Sequence, residues 1–124
     1  MPPSRLTFQV AIFGPPGAGK TSTLRGLHRT LPPERIGALV EIPEFTPYVG
    51  TVMFFDYRPA EFTKPSVTFR FRTVSGNDQE GFITLFGADA LLFVADCRPS
   101  KRKANHKALS RAMEHFRKYP PSWA

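Results

Sequence analysis

The residues with the clearest capacity for chemistry lie in the sequence GPPGAGKTS, which spans residues 14–22. This sequence matches the motif G-x-x-x-x-G-K-[ST], with Gly14, Gly19, Lys20 and Thr21 at the fixed positions. Glycines let successive backbone N–H groups turn inward around phosphate oxygens, and the N-terminus of a following helix adds partial positive charge. Lys20 would reach the β- and γ-phosphates, and Thr21 would offer its hydroxyl to Mg²⁺. The motif therefore predicts a site for a nucleoside triphosphate and does not indicate the base.

The segments on either side of this loop have the composition that the motif requires. Residues 6–13 form an apolar run typical of a buried strand, and residues 20–31 are typical of a helix that ends before Pro32 and Pro33. An ordinary Gly-Pro turn is the alternative interpretation, which the agreement of motif and flanks disfavours. The predicted nucleotide contacts in the loop are Gly14, Pro15, Pro16, Gly17, Ala18, Gly19, Lys20, Thr21 and Ser22.

Three further segments have the composition of strands. Residues 51–57 and 66–74 are rich in β-branched and aromatic residues, and the turn-like sequence between them predicts an antiparallel pair. Residues 90–96 are continuously apolar, which is typical of a strand covered on both faces. The long stretch over residues 34–50 has no clean period and predicts a loop for most of its length, and residues 79–88 predict a short helix.

A basic helix is predicted near the end of the sequence, over residues 101–119. The stretch 101–118 holds seven Lys and Arg residues against one acidic residue, and it accounts for most of the net charge of +7. A solvated helix side is the simplest interpretation, and acidic lipid, nucleic acid or an acidic protein face are the alternatives. The predicted apolar face of this helix comprises Ala108, Leu109, Ala112, Met113 and Phe116.

Length and composition indicate a single domain over residues 1–124. Cys97 is the one cysteine, so no disulfide forms within the chain, which suits the cytoplasm and a structural role for Cys97. No apolar run approaches the roughly 18 residues of a membrane span, and the first residues do not have the pattern of a signal peptide. The three histidines have no cysteine or carboxylate partners at ligand spacing, so a zinc site is not expected.

The order of these segments resembles that of the Ras-like small GTPases, and in detail the bacterial gliding-motility (MglA-type) branch. The sequences TVMFFDYRP, FRFRTVSGND and GADALLFVAD carry the resemblance, which covers roughly residues 7–118. It implies a three-layer α/β P-loop NTPase fold of the Ras-like G-domain type. It also implies Mg²⁺-dependent GTP binding, and a switch in bacterial polarity or motility that protein effectors and an activating protein read.

The resemblance also assigns roles outside the loop. Thr51 would be the switch threonine that meets Mg²⁺ and the γ-phosphate, and the N–H of Gly76 would contact the same phosphate. Asn77 stands where the family has the catalytic glutamine that orients the attacking water. In the alternative interpretation Thr51 only begins a strand, and Gly76 and Asn77 only form a turn, for which SGND is a typical composition.

Some residues depart from the family pattern. Asn77 is one methylene shorter than glutamine, and an error of about 1 Å in positioning water can cost on the order of 100-fold in rate. Gly50 stands where the branch usually has an arginine that stabilises transition-state charge. Both differences predict slow intrinsic hydrolysis. Thr73 stands where most GTPases have an aspartate linked to Mg²⁺, although this branch also tends to have threonine there.

The sequence also lacks the N-K-x-D segment with which GTPases recognise guanine, so no residue supports a preference for GTP over ATP. The sequence stops soon after residues 101–119, so the Ras-like domain is expected to be incomplete at its C-terminal side. This expectation leaves strand 90–96 with an open edge, which predicts marginal stability or association through that edge.

Two other functions fit the same motif. The run LLFVAD has the Walker B form, so Asp96 could hold Mg²⁺ through water in a P-loop ATPase or nucleotide kinase, with the arginines of RPSKRK as a lid over the phosphates. Against this, Asp96 could be only a cap or turn residue at the end of a strand. The other alternative is a degenerate nucleotide-binding module that keeps the loop without turnover.

Overall fold

A computed structural model of the chain describes residues 5–43, 50–74 and 81–121. Within these ranges the chain forms five strands and two α-helices, which gives the α/β fold that the sequence predicts. In chain order the elements are β1 (Arg5–Phe13), α1 (Lys20–Thr30), β2 (Val40–Ile42), β3 (Val52–Tyr57), β4 (Ser66–Val74), β5 (Ala90–Phe93) and α2 (Arg102–Lys118).

The strands form one mixed sheet in the order β2-β3-β4-β1-β5. β1 runs parallel to β4 and β5, whereas β3 runs antiparallel to β4, as predicted for that pair. The register of the antiparallel pair places Asp56 opposite Arg70, whose guanidinium donates hydrogen bonds of 2.8 and 3.1 Å to the carboxylate. This two-point ion pair supports the register because a slip of one residue would separate the two charges.

One face of the sheet is covered by α1. The helix begins after Gly19 and is followed by Leu31, whose extended backbone is the conformation favoured before a proline. The buried Leu24 of α1 packs with Ile12 of β1 and Phe55 of β3. Burial of side chains of this size contributes about 1.5–3 kcal/mol each. This packing holds α1, and the loop that precedes it, against the sheet.

The opposite face is covered by α2 and by the segment 81–88. Ala11 and Phe13 of β1 pack there with Ala108 and Ala112 of α2, because neighbouring side chains of a strand point to opposite faces. The two helices therefore enclose the sheet in three layers. Neither helix within the described ranges is long and apolar enough to cross a membrane.

The segment 81–88 is tied to the sheet by Arg72 of β4. Its guanidinium donates hydrogen bonds to the carbonyl of Thr84 at 3.1 Å, to the side-chain oxygen of Gln9 at 3.3 Å and to the carbonyl of Phe86. Burial lowers the pKa of Arg72. These acceptors compensate the partial loss of water around the charge.

The stretch 34–50, predicted as a loop for most of its length, also contains β2, which pairs antiparallel with β3. The three residues of β2 are exposed and too few for a periodic signal, so only the pairing defines the strand. The predicted short helix over residues 79–88 is wrong. In the described part of segment 79–88, the backbone forms turns instead of a helix. The left-handed φ angles of Gly81 (74°) and Gly87 (67°) account for this, because a right-handed helix requires negative φ.

The predicted apolar face of α2 is only partly buried. Ala108 and Ala112 are buried and Phe116 packs against the same cluster, whereas Leu109 and Met113 are 41% and 60% exposed. Small alanine side chains allow the helix to approach the sheet closely, so α2 packs along its alanines.

β5 spans Ala90–Phe93, which is shorter than the predicted strand 90–96. Its alternate side chains pack against the clusters on the two faces of the sheet, as the continuous apolar run predicts. Among the described strands, β1 is the only neighbour of β5. Association through the open edge stays a prediction, because an unpaired strand edge offers N–H and C=O groups to another chain.

Candidate functional site

The predicted phosphate loop lies at the end of the sheet where the parallel strands finish. Residues 14–19 connect β1 to α1, and β4 ends nearby at Val74. β3 begins at the same end, because its first residue, Val52, pairs with Val74. In open α/β sheets, ligands bind in the crevice outside the carboxyl ends of the strands. The topology therefore places the loop where folds of this class bind ligands.

Gly14 is required by the packing of β1 against the chain that follows β5. A Cβ atom on Gly14 would collide with the backbone carbonyl of Val94. The two segments are also joined by a hydrogen bond of 2.9 Å from the N–H of Val94 to the carbonyl of Phe13. The first fixed glycine of the motif thus serves close backbone approach.

Gly17 and Gly19 give the loop its shape. Their φ angles are 76° and 102°, in the left-handed region that favours glycine. The N–H of Ala18 closes a turn by donating to the carbonyl of Pro15 at 3.3 Å. Left-handed residues in such a turn, next to right-handed ones, can point successive N–H groups towards one side and make a concave anion site.

The N-terminus of α1 points into the same region. Gly19 is its N-cap and has no side chain that could cap the first turn, and no acidic residue lies in that turn. The first N–H groups of a helix have no partner within the helix, and they carry the positive end of its dipole. An anion at this position would accept hydrogen bonds from these N–H groups and would interact favourably with the positive end of the dipole.

A cavity of about 310 Å³ opens in front of the loop. This volume lies at the lower end of the range found for small-molecule sites. Gly14 and Pro15 are buried and do not line it. The lining residues are Pro16, Gly17, Gly19, Lys20, Thr21, Ser22 and Val74.

Lys20 is folded back over the loop. Its Nζ donates a hydrogen bond of 2.8 Å to the carbonyl of Gly14 and lies 5.7 Å from the ring centre of Phe13. These contacts help to hold the ammonium beside the cavity. A phosphate would be a stronger acceptor for it than a carbonyl group, because charge-assisted hydrogen bonds are about twice as strong as neutral ones.

Of the other predicted site residues that the structure describes, only some line the cavity. Thr21 lines the cavity, whereas Thr51 precedes β3 at the same end of the sheet and is not among the described residues that line the cavity. Gly76 and Asn77 lie outside the described residues. Thr73 is fully buried, and its Oγ1 donates a hydrogen bond of 2.9 Å to the carbonyl of Ile12. This hydroxyl therefore links β4 to β1.

Asp96, the Walker B candidate, is paired with Arg98. The Arg98 side chain donates from Nε to Oδ1 at 2.9 Å and from Nη2 to Oδ2 at 2.6 Å, and its backbone N–H also reaches Oδ1 at 3.1 Å. These hydrogen bonds lower the pKa of Asp96 to about 2. Both carboxylate oxygens are thus used within the chain, which does not favour a role in holding water around Mg²⁺.

No protein-family model matches this sequence, and no curated protein shows significant similarity to it. The local geometry therefore carries the functional argument. Among residues 5–43, 50–74 and 81–121, no three His, Cys, Asp or Glu side chains converge as a metal site. A magnesium ion at this loop does not need such a cluster, because Mg²⁺ is commonly held by few protein oxygens together with phosphates and water.

Sequence reasoning missed one residue of the site, Val74, and considered Arg98 only as part of a lid in the kinase alternative. Val74 lines the cavity because β4 ends there, and no sequence signal indicated this. Arg98 lies against the loop, with Nη2 3.9 Å from the position that a Cβ would take on Gly17. The D-x-R spacing of residues 96–98, a few residues after β5, could have indicated an ordered arginine, because this spacing allowed the ion pair with Asp96.

A second, larger cavity of about 790 Å³ lies between the segment 81–88 and the end of α2. Phe82 and Phe86 line it and are 76% and 74% exposed. α2 contributes Arg111, Glu114, His115 and Lys118 to the lining, and Tyr119 follows the helix on the same side. Exposed aromatic side chains of this size are typical of surfaces that contact other proteins.

Proposed function

We propose that this chain binds a nucleoside triphosphate with Mg²⁺ at the loop 14–22 and hydrolyses it slowly, as a small-GTPase-type switch. The observation that carries the proposal is the convergence of three features on one cavity. These are the left-handed glycines Gly17 and Gly19, the uncapped N-terminus of α1, and the ammonium of Lys20. Each of them favours anionic phosphate over a neutral ligand.

Each part of the loop has a separate task in this proposal. The backbone N–H groups of the loop and of the first turn of α1 bind phosphate oxygens, and Lys20 moves from the Gly14 carbonyl to the β- and γ-phosphates. Thr21 fits Mg²⁺ because it lines the cavity and its hydroxyl is a hard oxygen ligand. The ion, when bound, neutralises charge on the phosphate oxygens.

The choice of GTP and the switch function rest on the sequence resemblance to the Ras-like GTPases. The fold supports this resemblance, because β3 and β4 form the expected antiparallel pair and β1 and β5 continue the sheet in parallel. Phe82 and Phe86 are exposed, which supports the binding of partner proteins that the resemblance implies. The ATPase or kinase alternative is supported less, because Arg98 already occupies both carboxylate oxygens of Asp96.

The test is a titration of the chain with fluorescent GTP and ATP analogues, with Mg²⁺ and with EDTA. We expect saturable binding that prefers GTP, weakens in EDTA, and falls on the order of 100-fold in Lys20→Ala. Lys107→Ala is the matched control, because it removes one lysine charge from an exposed position on α2. Equal losses in the two variants, or no binding at all, would contradict the site.

Hydrolysis is tested in a single-turnover reaction, which separates a slow enzyme from a binding module without turnover. The resemblance places Asn77 at the water-orienting position, and Asn77→Gln restores the missing methylene. We expect this variant to hydrolyse GTP faster than the wild type at equal GTP affinity. An unchanged rate would remove Asn77 from the proposed mechanism.

A further inference from the structure

Arg98 is the charged residue beside the phosphate loop that the proposed mechanism does not use. Its Nη2 lies 3.9 Å from the position of a Cβ on Gly17, which itself lines the cavity. The side chain of Arg98 is 63% exposed, whereas that of Asp96 is 6% exposed. The buried carboxylate thus anchors a guanidinium that remains accessible at the rim of the loop.

The anchor is itself fixed by α2. The side-chain amide of Asn105 accepts a hydrogen bond from the N–H of Asp96 at 2.8 Å and donates one to the carbonyl of Asp96 at 2.8 Å. This two-point contact sets the backbone of Asp96 relative to α2. The carboxylate then holds Arg98 through two parallel hydrogen bonds, a geometry that fixes the plane of the guanidinium.

The guanidinium keeps unused donors in this arrangement. An arginine side chain has five N–H donors, and the hydrogen bonds to Asp96 take two of them. The remaining donors lie on Nη1 and Nη2, of which Nη2 is the atom nearest the loop. Arg98 can therefore donate to a phosphate oxygen while it keeps its contact with Asp96.

We propose that Arg98 is a second phosphate-binding cation of this site, and that Asp96 is the positioning residue that aims it. This inference rests on the proposed function, because it assigns Arg98 to the phosphate groups of the nucleotide bound at the loop. Asn105 fixes the pair of Asp96 and Arg98 relative to α2 through its two hydrogen bonds to the backbone of Asp96. If the ion pair of Asp96 and Arg98 were only structural, it would stabilise the chain that follows β5, and removing it would leave nucleotide affinity unchanged.

The experiment measures the dissociation constant of GTP and of inorganic tripolyphosphate for the wild type and for four variants of the full chain. Arg98→Gln removes the charge and the fork of donors, and Arg98→Lys keeps the charge. Arg102→Gln removes the same charge from an exposed position at the start of α2. Lys20→Ala tests the proposed function itself.

We expect Arg98→Gln to weaken both ligands on the order of 10-fold, and Arg102→Gln to change them by less than about 2-fold. Arg98→Lys should recover only part of the loss, because an ammonium cannot hold Asp96 at two points and reach a phosphate as well. Tripolyphosphate should follow GTP, because the proposed contact is to phosphate. A loss for GTP alone would overturn the phosphate contact.

The role of Asp96 is tested by Asp96→Asn, alone and combined with Arg98→Gln. Removing a negative charge near the loop should strengthen anion binding if electrostatics alone decided it. If Asp96 positions Arg98, Asp96→Asn weakens GTP binding, and the effect disappears in the Arg98→Gln background. Tighter binding in Asp96→Asn, or additive losses in the double variant, would overturn the positioning role. A thermal melt of each variant confirms that it is folded.

The two proposals fail in different ways in these measurements. If the wild type binds GTP and Lys20→Ala does not, the proposed function holds, and equal affinities of Arg98→Gln and Arg102→Gln then overturn the inference alone. If the folded wild type binds neither GTP nor tripolyphosphate, both proposals are overturned.

Discussion

Lys20 donates a hydrogen bond of 2.8 Å from its Nζ to the backbone carbonyl of Gly14, six residues earlier in the chain. Gly14 is the first residue of the loop 14–19 and Lys20 is the first residue of α1, so this contact crosses the loop and keeps the ammonium beside the cavity. A phosphate bound there would replace the Gly14 carbonyl as the acceptor, because charge-assisted hydrogen bonds are stronger than neutral ones.

Gly14→Ala is expected to disrupt the site through packing. Its new methyl group would collide with the carbonyl of Val94, so β1 and the chain after β5 must separate. We expect a loss of stability on the order of 1–3 kcal/mol, together with weaker nucleotide binding. Urea unfolding and the fluorescent nucleotide titration measure the two effects.

Gly26→Ala is the matched control for that change. Gly26 lies within α1, and a Cβ there meets nothing within 4 Å. Alanine favours a helix by about 0.8–1.0 kcal/mol over glycine, so this variant should be more stable than the wild type. A destabilised Gly26→Ala with a normal Gly14→Ala would contradict the packing argument.

Gly19→Ala tests the left-handed backbone of the loop. A Cβ at Gly19 meets no atom within 4 Å, so the expected effect comes from its φ of 102°. Such strain costs on the order of 1–3 kcal/mol. The loop should relax into another conformation, and GTP affinity should fall about 10-fold or more. Gly37→Ala, which also meets no atom within 4 Å and lies far from the loop in sequence, should keep wild-type affinity.

The lowered pKa of Asp96 predicts how the stability of the chain changes with pH. Its pKa falls from an ordinary value of 3.8 to about 2 in the folded chain. Because the folded-state pKa is depressed, the carboxylate contributes stability that is present above about pH 4 and is lost as the pH falls towards 2. Urea midpoints for the wild type should therefore fall between about pH 4 and about pH 2.5 more steeply than those of Asp96→Asn. Parallel curves for the two proteins would show that Asp96 does not contribute.

Thr73→Val separates a structural hydroxyl from a metal-linked one. The buried Oγ1 of Thr73 donates to the carbonyl of Ile12, so valine removes a hydrogen bond between β4 and β1. We expect the free energy of unfolding to fall by about 1–3 kcal/mol, with unchanged Mg²⁺ dependence of nucleotide binding. Thr7→Val, at an exposed position on β1, is the control and should change neither quantity. A weaker Mg²⁺ effect in Thr73→Val would show that this hydroxyl serves the metal.

The sequence by itself determined the elements that short-range chemistry specifies. The strand–loop–helix arrangement around residues 14–19 was predictable because the glycine spacing and the flanking apolar run are local in the chain. The antiparallel pair of β3 and β4 was predictable for the same reason, because its strands have strong β-forming composition and a turn between them. The α1 boundary followed from the two prolines after it.

Only the tertiary structure decided the features that depend on contacts between distant residues. β2 is a strand because β3 lies beside it, and the exposed Leu109 and Met113 reflect how closely the alanines of α2 approach the sheet. The position of Arg98 beside Gly17 joins residues 81 positions apart in the sequence, and no local pattern encodes that distance. Packing of β5 against β1 created it, because the two parallel strands end side by side and their following loops must then meet.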